Sequence, residues 1–336
     1  EVKRLGIRGG FPMYASGYLI YADQAGLFAV SFDIDRLEVV GEPRRLPLFP
    51  RSQGLGSVEA AISPMGDLLY VSTEHRQTDR VWVSRDGLAR PVDASWQGSL
   101  RFPRVSPDGQ SLVGEMEGLG GRSVVGLRGP SDVEPRLIST DTIDQFRPSW
   151  HPDGDQIVYR DDRGLVMVPL DGRPPSVLEA DIDPSGAIWN PDGETLVIRT
   201  GTRFLDETHL FRQVVGADST PERLMSSEEG QQRSPSMSPN GRYLAYAWYR
   251  AGQTNIVVRP YPNVDDDRVQ VTFGGGYSPA WSADGSELFF HDGQGQMFAA
   301  QVSSDGAFGV AGVESLFSGS GYDLPTGTRG FDVHRD

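Results

Sequence analysis

The sequence predicts an all-β fold, a β-propeller of four-stranded antiparallel blades. Three observations carry this. A strand–turn–strand phrase recurs, as in FRPSWHPDGDQIVYR (146–160), FPRVSPDGQSLVG (102–114), GAIWNPDGETLVIR (186–199), SPSMSPNGRYLAYA (234–247), SPAWSADGSELFFH (278–291) and AAISPMGDLLYVS (60–72). The turn glycines Gly66, Gly109, Gly154, Gly193, Gly241 and Gly285 stand 43, 45, 39, 48 and 44 residues apart. A period near 44 belongs to arrays and propellers. Finally, no window holds a helical apolar period, which excludes α-solenoids.

Each element of the repeat has a physical reason. Four positions before the glycine stand Ile62, Val105, Trp150, Trp189, Met237 and Trp281; three after it stand Leu69, Leu112, Ile157, Leu196, Leu244 and Leu288. One large apolar residue at a fixed register on each side of the turn makes a strand pair that buries a common layer. Proline recurs six positions before the glycine at Pro103, Pro148, Pro235 and Pro279. Lacking an amide donor, it suits an unpaired strand edge or start. A third apolar stretch follows each hairpin (RVWVS, SVVGL, LVMVPL, HLFRQV, NIVVRPY, QMFAAQV), then a short fourth (ARPVD, PRLIS, PSVLE, ERLMS, VQVTF, VESLF). Sheets with two apolar faces must cover one another, and radial stacking does so.

An earlier copy, FPMYASGYLIYA with LFAVSFD and PRRLPLF, turns at Gly17. Blades 1 to 7 are therefore numbered on Gly17, Gly66, Gly109, Gly154, Gly193, Gly241 and Gly285, and residues 1–336 are expected to form a single propeller domain. EVKRLGI (1–7) resembles a lone fourth strand and TRGFDVHRD (328–336) a lone first strand. Together they predict an eighth blade shared by the two ends, its middle strands lying outside this sequence.

Bulk chemistry narrows the function. A net charge of −15 excludes a nucleic-acid partner, which needs a Lys/Arg surface. The absence of cysteine excludes disulfides and thiolate metal sites. No apolar run approaches the length needed to span a bilayer. The chain opens on Glu1 without a signal-like segment, so any leader or anchor is expected outside it.

The SPDG, HPDG, NPDG, SPNG and SADG hairpins resemble the TolB-like, or PD40, relatives of WD40 repeats over nearly the whole chain. The phrases LFAVSFDIDRLEVVGEP (27–43), NIVVRPYPN (255–263) and GGGYSPAWSADGSELFF (274–290) resemble the extracytoplasmic C-terminal propellers of bacterial Ser/Thr kinases of the eukaryotic-like type. That resemblance implies a non-catalytic sensor or interaction module. The kinase domain itself is missing: there is no VAIK lysine, no DFG and no glycine-rich loop.

Candidate sites follow from the repeat register. Eight positions before the glycine stand Val58, Arg101, Phe146, Ser185, Arg233 and Tyr277, and Arg329 joins by extension. This column begins the innermost strands and should ring one mouth of the channel, where arginine and aromatic residues suit a binding surface. Asp181, Asp183, Ser185, Gly186 and Asp192 match spacings of a calcium loop, against which Pro184 stiffens the turn and Asp192 already serves the repeat. His334-Arg335-Asp336 spells a kinase triplet without its downstream asparagine, and the first-strand alignment accounts for it better. The histidines His75, His151, His209, His291 and His334 show no zinc spacing. No GxSxG elbow occurs. The run Asp265-Asp266-Asp267 reads as a solvated loop tip. The expected function is a non-catalytic extracytoplasmic scaffold or sensor with a membrane-associated protein partner and no cofactor. The competing readings are a channel-site hydrolase or lyase and a calcium- or ligand-binding propeller.

Overall fold

The computed structural model describes residues 5–7, 10–23, 26–46, 60–63, 68–70, 81–92, 100–117, 123–129, 132, 135–138, 143–178, 180–201, 207–216, 219–226, 229–304, 306–319, 321–322 and 324–334. Of the expectations above, Val58, Gly66, His75, Arg335 and Asp336 lie outside them. Among the described residues there is no α-helix, and no helix long and apolar enough to cross a membrane. Six four-stranded antiparallel sheets occupy 10–45, 100–137, 146–178, 184–223, 231–270 and 277–318, which are blades 1 and 3 to 7. Blade 2 appears as two hairpins, Ala60–Ile62 with Leu68–Tyr70 and Val81–Val83 with Ala89–Pro91.

The described chain divides into two compact units, residues 1–78 with 117–122 and residues 79–116 with 123–336. In the first, Leu19, Tyr21, Val30 and Phe32 of blade 1 form a core on which Leu5 and Ile7 pack. On the other face of that sheet, Ile20 and Leu27 meet Met13, Leu46 and Ile62.

The second unit shows why the repeat works. Its turn glycines all adopt the left-handed conformation, with φ between 69° and 78°. There the amide of each glycine donates to the carbonyl three residues back, as Gly241 does to Ser238 at 2.9 Å. In blades 3, 5, 6 and 7 the acidic or amide residue before the glycine holds the turn, as Asp284 Oδ1 accepts from Ser282 Oγ at 2.7 Å and from Ser286 N at 3.0 Å; in blade 4 the His151 ring accepts the Asp153 amide at 3.2 Å instead. These bonds pull the Asp284 carboxyl down to about 2. Ser-Pro-Asp-Gly is thus a self-contained hydrogen-bonded turn.

Neighbouring sheets seal one another. Val113, Val125 and Leu127 of blade 3 pack on Trp150, Ile157 and Tyr159 of blade 4. Val158 and Leu165 of blade 4 pack on Trp189, Leu196 and Ile198 of blade 5. Tyr243, Ala245 and Ile256 of blade 6 pack on Trp281, Leu288 and Phe290 of blade 7. The three tryptophans are 9%, 6% and 7% exposed, the equal depth that the register predicts. Two of them also bond across blades, Trp150 Nε1 to Arg104 O at 3.0 Å and Trp281 Nε1 to Ser236 O at 3.2 Å.

The inner strands carry a feature the sequence pattern does not announce. Phe102, Arg147, Ser234 and Ser278, each seven positions before its glycine, have φ between 49° and 56°. The ladder slips at this point in each of these blades. It is a repeated β-bulge next to the recurring proline, which re-aims the first residues of the strand.

The expected eighth blade is not formed among the described residues. Residues 324–334 make no strand, and instead run along the inner face of the second unit, bonded by side chains. Ser278 Oγ donates to Pro325 O, Arg199 Nη1 to Gly327 O and Arg104 Nη1 to Arg329 O, at 3.4, 2.9 and 3.2 Å. Asp332 Oδ2 accepts the Val105 amide at 2.9 Å. His334 Nε2 lies 3.1 Å from Gly109 O, its ring edge-on to Trp82. The hairpin that bears Trp82 is tied to blade 7 by Arg85, whose guanidinium meets Glu287 and Glu314 at 2.8 Å. Residues 81–91 thus contact blade 7, and the terminal segment contacts blade 3.

Candidate functional site

The inner strands Leu100–Val105, Phe146–Trp150, Pro184–Trp189, Gln231–Met237 and Tyr277–Trp281 have two ends that differ in chemistry. At the turn end, residues from all five blades line one cavity of about 370 Å³. Trp150, Trp189, Trp281 and the turn prolines form its wall, and Arg104, Arg329 and Asp332 add charge.

At the other end the strands begin, and there the residues of the expected column stand, each among its own blade's neighbours. Arg101 is exposed and pairs in register with Glu115. The Phe146 ring lies 5.7 Å from the Arg160 guanidinium. Arg233 donates to Gln231 Oε1 at 2.7 Å and lies over the Tyr249 ring. Tyr277 stacks on His291 with centroids 5.6 Å apart. Ser185 is buried, its hydroxyl donating to Arg199 O at 3.1 Å, so it faces its own sheet. Arg329 does not join this column. Its segment has no ladder to transmit register, and it lies deeper, paired with Asp332 at 3.1 Å and near Ser236.

Register alone missed four groups, Arg147, Arg199, Arg104 and Glu115. Arg147 sits on the bulge; its amide donates to Glu115 Oε1 and its Nη1 to Ser185 O, both at 2.7 Å. Arg199 comes from the second strand of blade 5, six residues after the glycine, where Glu115, Arg160 and His291 stand in sister blades. That column pairs with the expected one in blades 3, 4, 6 and 7, while in blade 5 the ladder slips and Arg199 pairs with Gly186. Burial pushes Arg199 down to about 9, and among the described residues the charges of Arg147 and Arg233 push the same way. Burial likewise pushes Arg104 down to about 9, helped by Arg329 and opposed by Asp332 and Glu115. Burial raises the Glu115 carboxyl, against its bond from the Arg147 amide and the pull of Arg101. The mouth is therefore cationic inside a strongly acidic chain.

The calcium spacing does not become a cage. Ser185 lies within the strand Pro184–Trp189, and Asp192 holds its turn by accepting from Glu194 N and Thr195 N at 2.9 Å. Among the described residues no group of three or more His, Asp or Glu side chains comes close enough to hold a metal ion. His291 is buried and held below the ordinary imidazole range by that burial, while His209 sits between Glu207 and Gln232. Asp265, Asp266 and Asp267 are exposed, as a loop tip should be.

Solved structures share this architecture. A TolB protein of Agrobacterium tumefaciens matches with a TM-score of 0.53 at 21% identity, over 70% of this chain and 87% of that one. TolB of Acinetobacter baumannii matches with 0.52 at 14%, over 92% and 79%. The fold is a TolB-like β-propeller. A structure of a nidogen/laminin complex matches at 0.50 and 10% identity, over 84% and 89%. No family model matches the chain, and no curated protein does.

Proposed function

We propose that this propeller is a non-catalytic, extracytoplasmic interaction module in which residues 1–336 act as one scaffold or sensor for a membrane-associated protein. The observation that carries the reading is the strand-start mouth. Rigid sheets hold Arg101, Phe146, Arg233 and Tyr277 at one end, joined by Arg147 and Arg199, and these are the side chains that anchor protein interfaces. The sequence resemblance to kinase-borne propellers supports the extracytoplasmic setting. Within that resemblance, the module is the sensor part of a membrane kinase or a separate subunit docked on a membrane complex. Catalysis would need an acid and a base free to act together. Glu115, the buried carboxyl of the mouth, is instead occupied by the Arg147 amide.

The test is capture from native membranes on immobilised chain, read by mass spectrometry. One membrane-associated protein should be retained in near-stoichiometric amount and lost when the bait carries Arg101→Glu with Tyr277→Ala. Equal retention by the double variant, or no retained protein, overturns the reading.

A further inference from the structure

Among the described residues, no acid pairs with the Arg199 guanidinium. Among the described residues its Nη1 finds the Gly327 carbonyl, while its Nε is buried with no partner. The charges of described residues that act on it are those of Arg147 and Arg233, both like its own. Two described acids are engaged elsewhere: Glu207 with His209 and Glu229 with Arg259. Holding like charges together out of water is costly unless a counter-charge arrives. Arginine presents its donors as a planar fork that fits a carboxylate or phosphate.

A second observation says in what form the counter-charge comes. Two guanidiniums of this channel already grip extended polypeptide. Arg199 and Arg104 each donate to a backbone carbonyl of the segment 324–334, which runs without ladder partners. The wall is thus built to hold an extended chain by its carbonyls, and the same fork has donors to spare.

The geometry points to an acidic-peptide site at the strand-start mouth, in which Arg147, Arg199 and Arg233 receive carboxylates of an extended segment of the partner. Phe146 and Tyr277 flank that path. The inference rests on the interaction reading above and names the chemistry of the partner's docking segment.

The experiment uses the full chain and a fluorescein-labelled decapeptide of alternating Asp and Gly, with an Asn–Gly peptide as its neutral twin, followed by anisotropy in about 0.1 M salt. The Asp peptide should bind at least about tenfold more tightly than its twin, and Arg199→Met and Arg233→Met should each weaken it about tenfold. Arg199→Lys, which keeps the charge and loses the fork, should fall between. Arg173→Met, at an exposed turn where Arg173 pairs with Asp171, should bind as wild type. Equal binding of both peptides, or wild-type binding by Arg199→Met with an unchanged melting curve, overturns the site. Should Arg199→Met melt early, Arg233→Met and Arg199→Lys decide in its place. Displacement by millimolar inorganic phosphate as effective as by unlabelled Asp peptide overturns the peptide assignment in favour of a free oxyanion. Peptide binding with this variant pattern but no captured membrane protein would sink the scaffold role and leave the site standing. Capture insensitive to Arg199→Met would do the reverse.

Discussion

The two ends of the inner strands in the second unit are built from opposite habits. At the turn end every blade repeats itself: a polar residue, a proline or alanine, an acid or amide, and a left-handed glycine, over a tryptophan or its apolar substitute. At the strand-start end the blades disagree, with Arg101, Phe146, Ser185, Arg233 and Tyr277 in one column and Glu115, Arg160, Arg199, Ala247 and His291 in its partner. Repetition at one end means that the same local problem, closing a hairpin and sealing a sheet, is solved the same way. Divergence at the other means that nothing in the fold dictates the choice, which leaves room for a ligand to do so.

Breaking this contrast requires substitutions at the two ends that fail to differ. Trp281→Ala at the turn end removes a buried ring and its bond to Ser236 O, and should cost about 3–5 kcal/mol by urea denaturation. Asp332→Ala strips the acceptor from the Val105 amide and the partner from Arg329; we expect a loss of about 1–3 kcal/mol in the same assay. Gly193→Ala forces a side chain into φ 70° with its Cβ 3.1 Å from His151 Nε2, for a loss of about 1–2 kcal/mol. Arg199→Met, at the opposite end, should leave stability within about 1 kcal/mol of wild type or raise it, because a buried unpaired charge gives way to an apolar stem. A loss as large as that of Trp281→Ala would make Arg199 a structural residue.

The smallest effect sharpens the same point through pH. Arg199 is held at about 9 in the folded chain, below the ordinary guanidinium value it regains on unfolding. The unfolded state therefore binds more protons above that pH, and stability rises as pH climbs through it. Below pH 9 the guanidinium is protonated in both states and its penalty is fully present. The melting-temperature gap between wild type and Arg199→Met should shrink between pH 8 and 10. A gap that stays constant would show that Arg199 keeps its ordinary affinity for the proton.

Much of this was legible in the residues. Trp150, Trp189 and Trp281 share one depth because a period-two strand with a fixed turn leaves them no other face. Arg101, Phe146, Arg233 and Tyr277 likewise fall in the first residues of their inner strands. Arg147 and Arg199 were harder to foresee. The bulge before the proline re-aims Arg147, and Arg199 enters from the neighbouring strand, so a single column cannot reveal them. His334 is instructive in another way. Its ring nitrogen lies 3.1 Å from Gly109 O, just as that of His151 lies 3.0 Å from Gly193 O. His334 thus makes the contact of its sister position His151, in a segment that forms no strand. Strand formation depends on available ladder partners, which a local pattern does not record.

The terminal segment has a consequence for how the molecule comes apart. Stacked repeats that touch only their neighbours can fray from an end, one sheet at a time. Here one stretch of eleven residues, 324–334, is moored to blades 3, 5, 6 and 7 at once. Loosening it slackens distant sheets together, so their amides should lose protection against hydrogen exchange in a common event, as strings do when a shared knot slips.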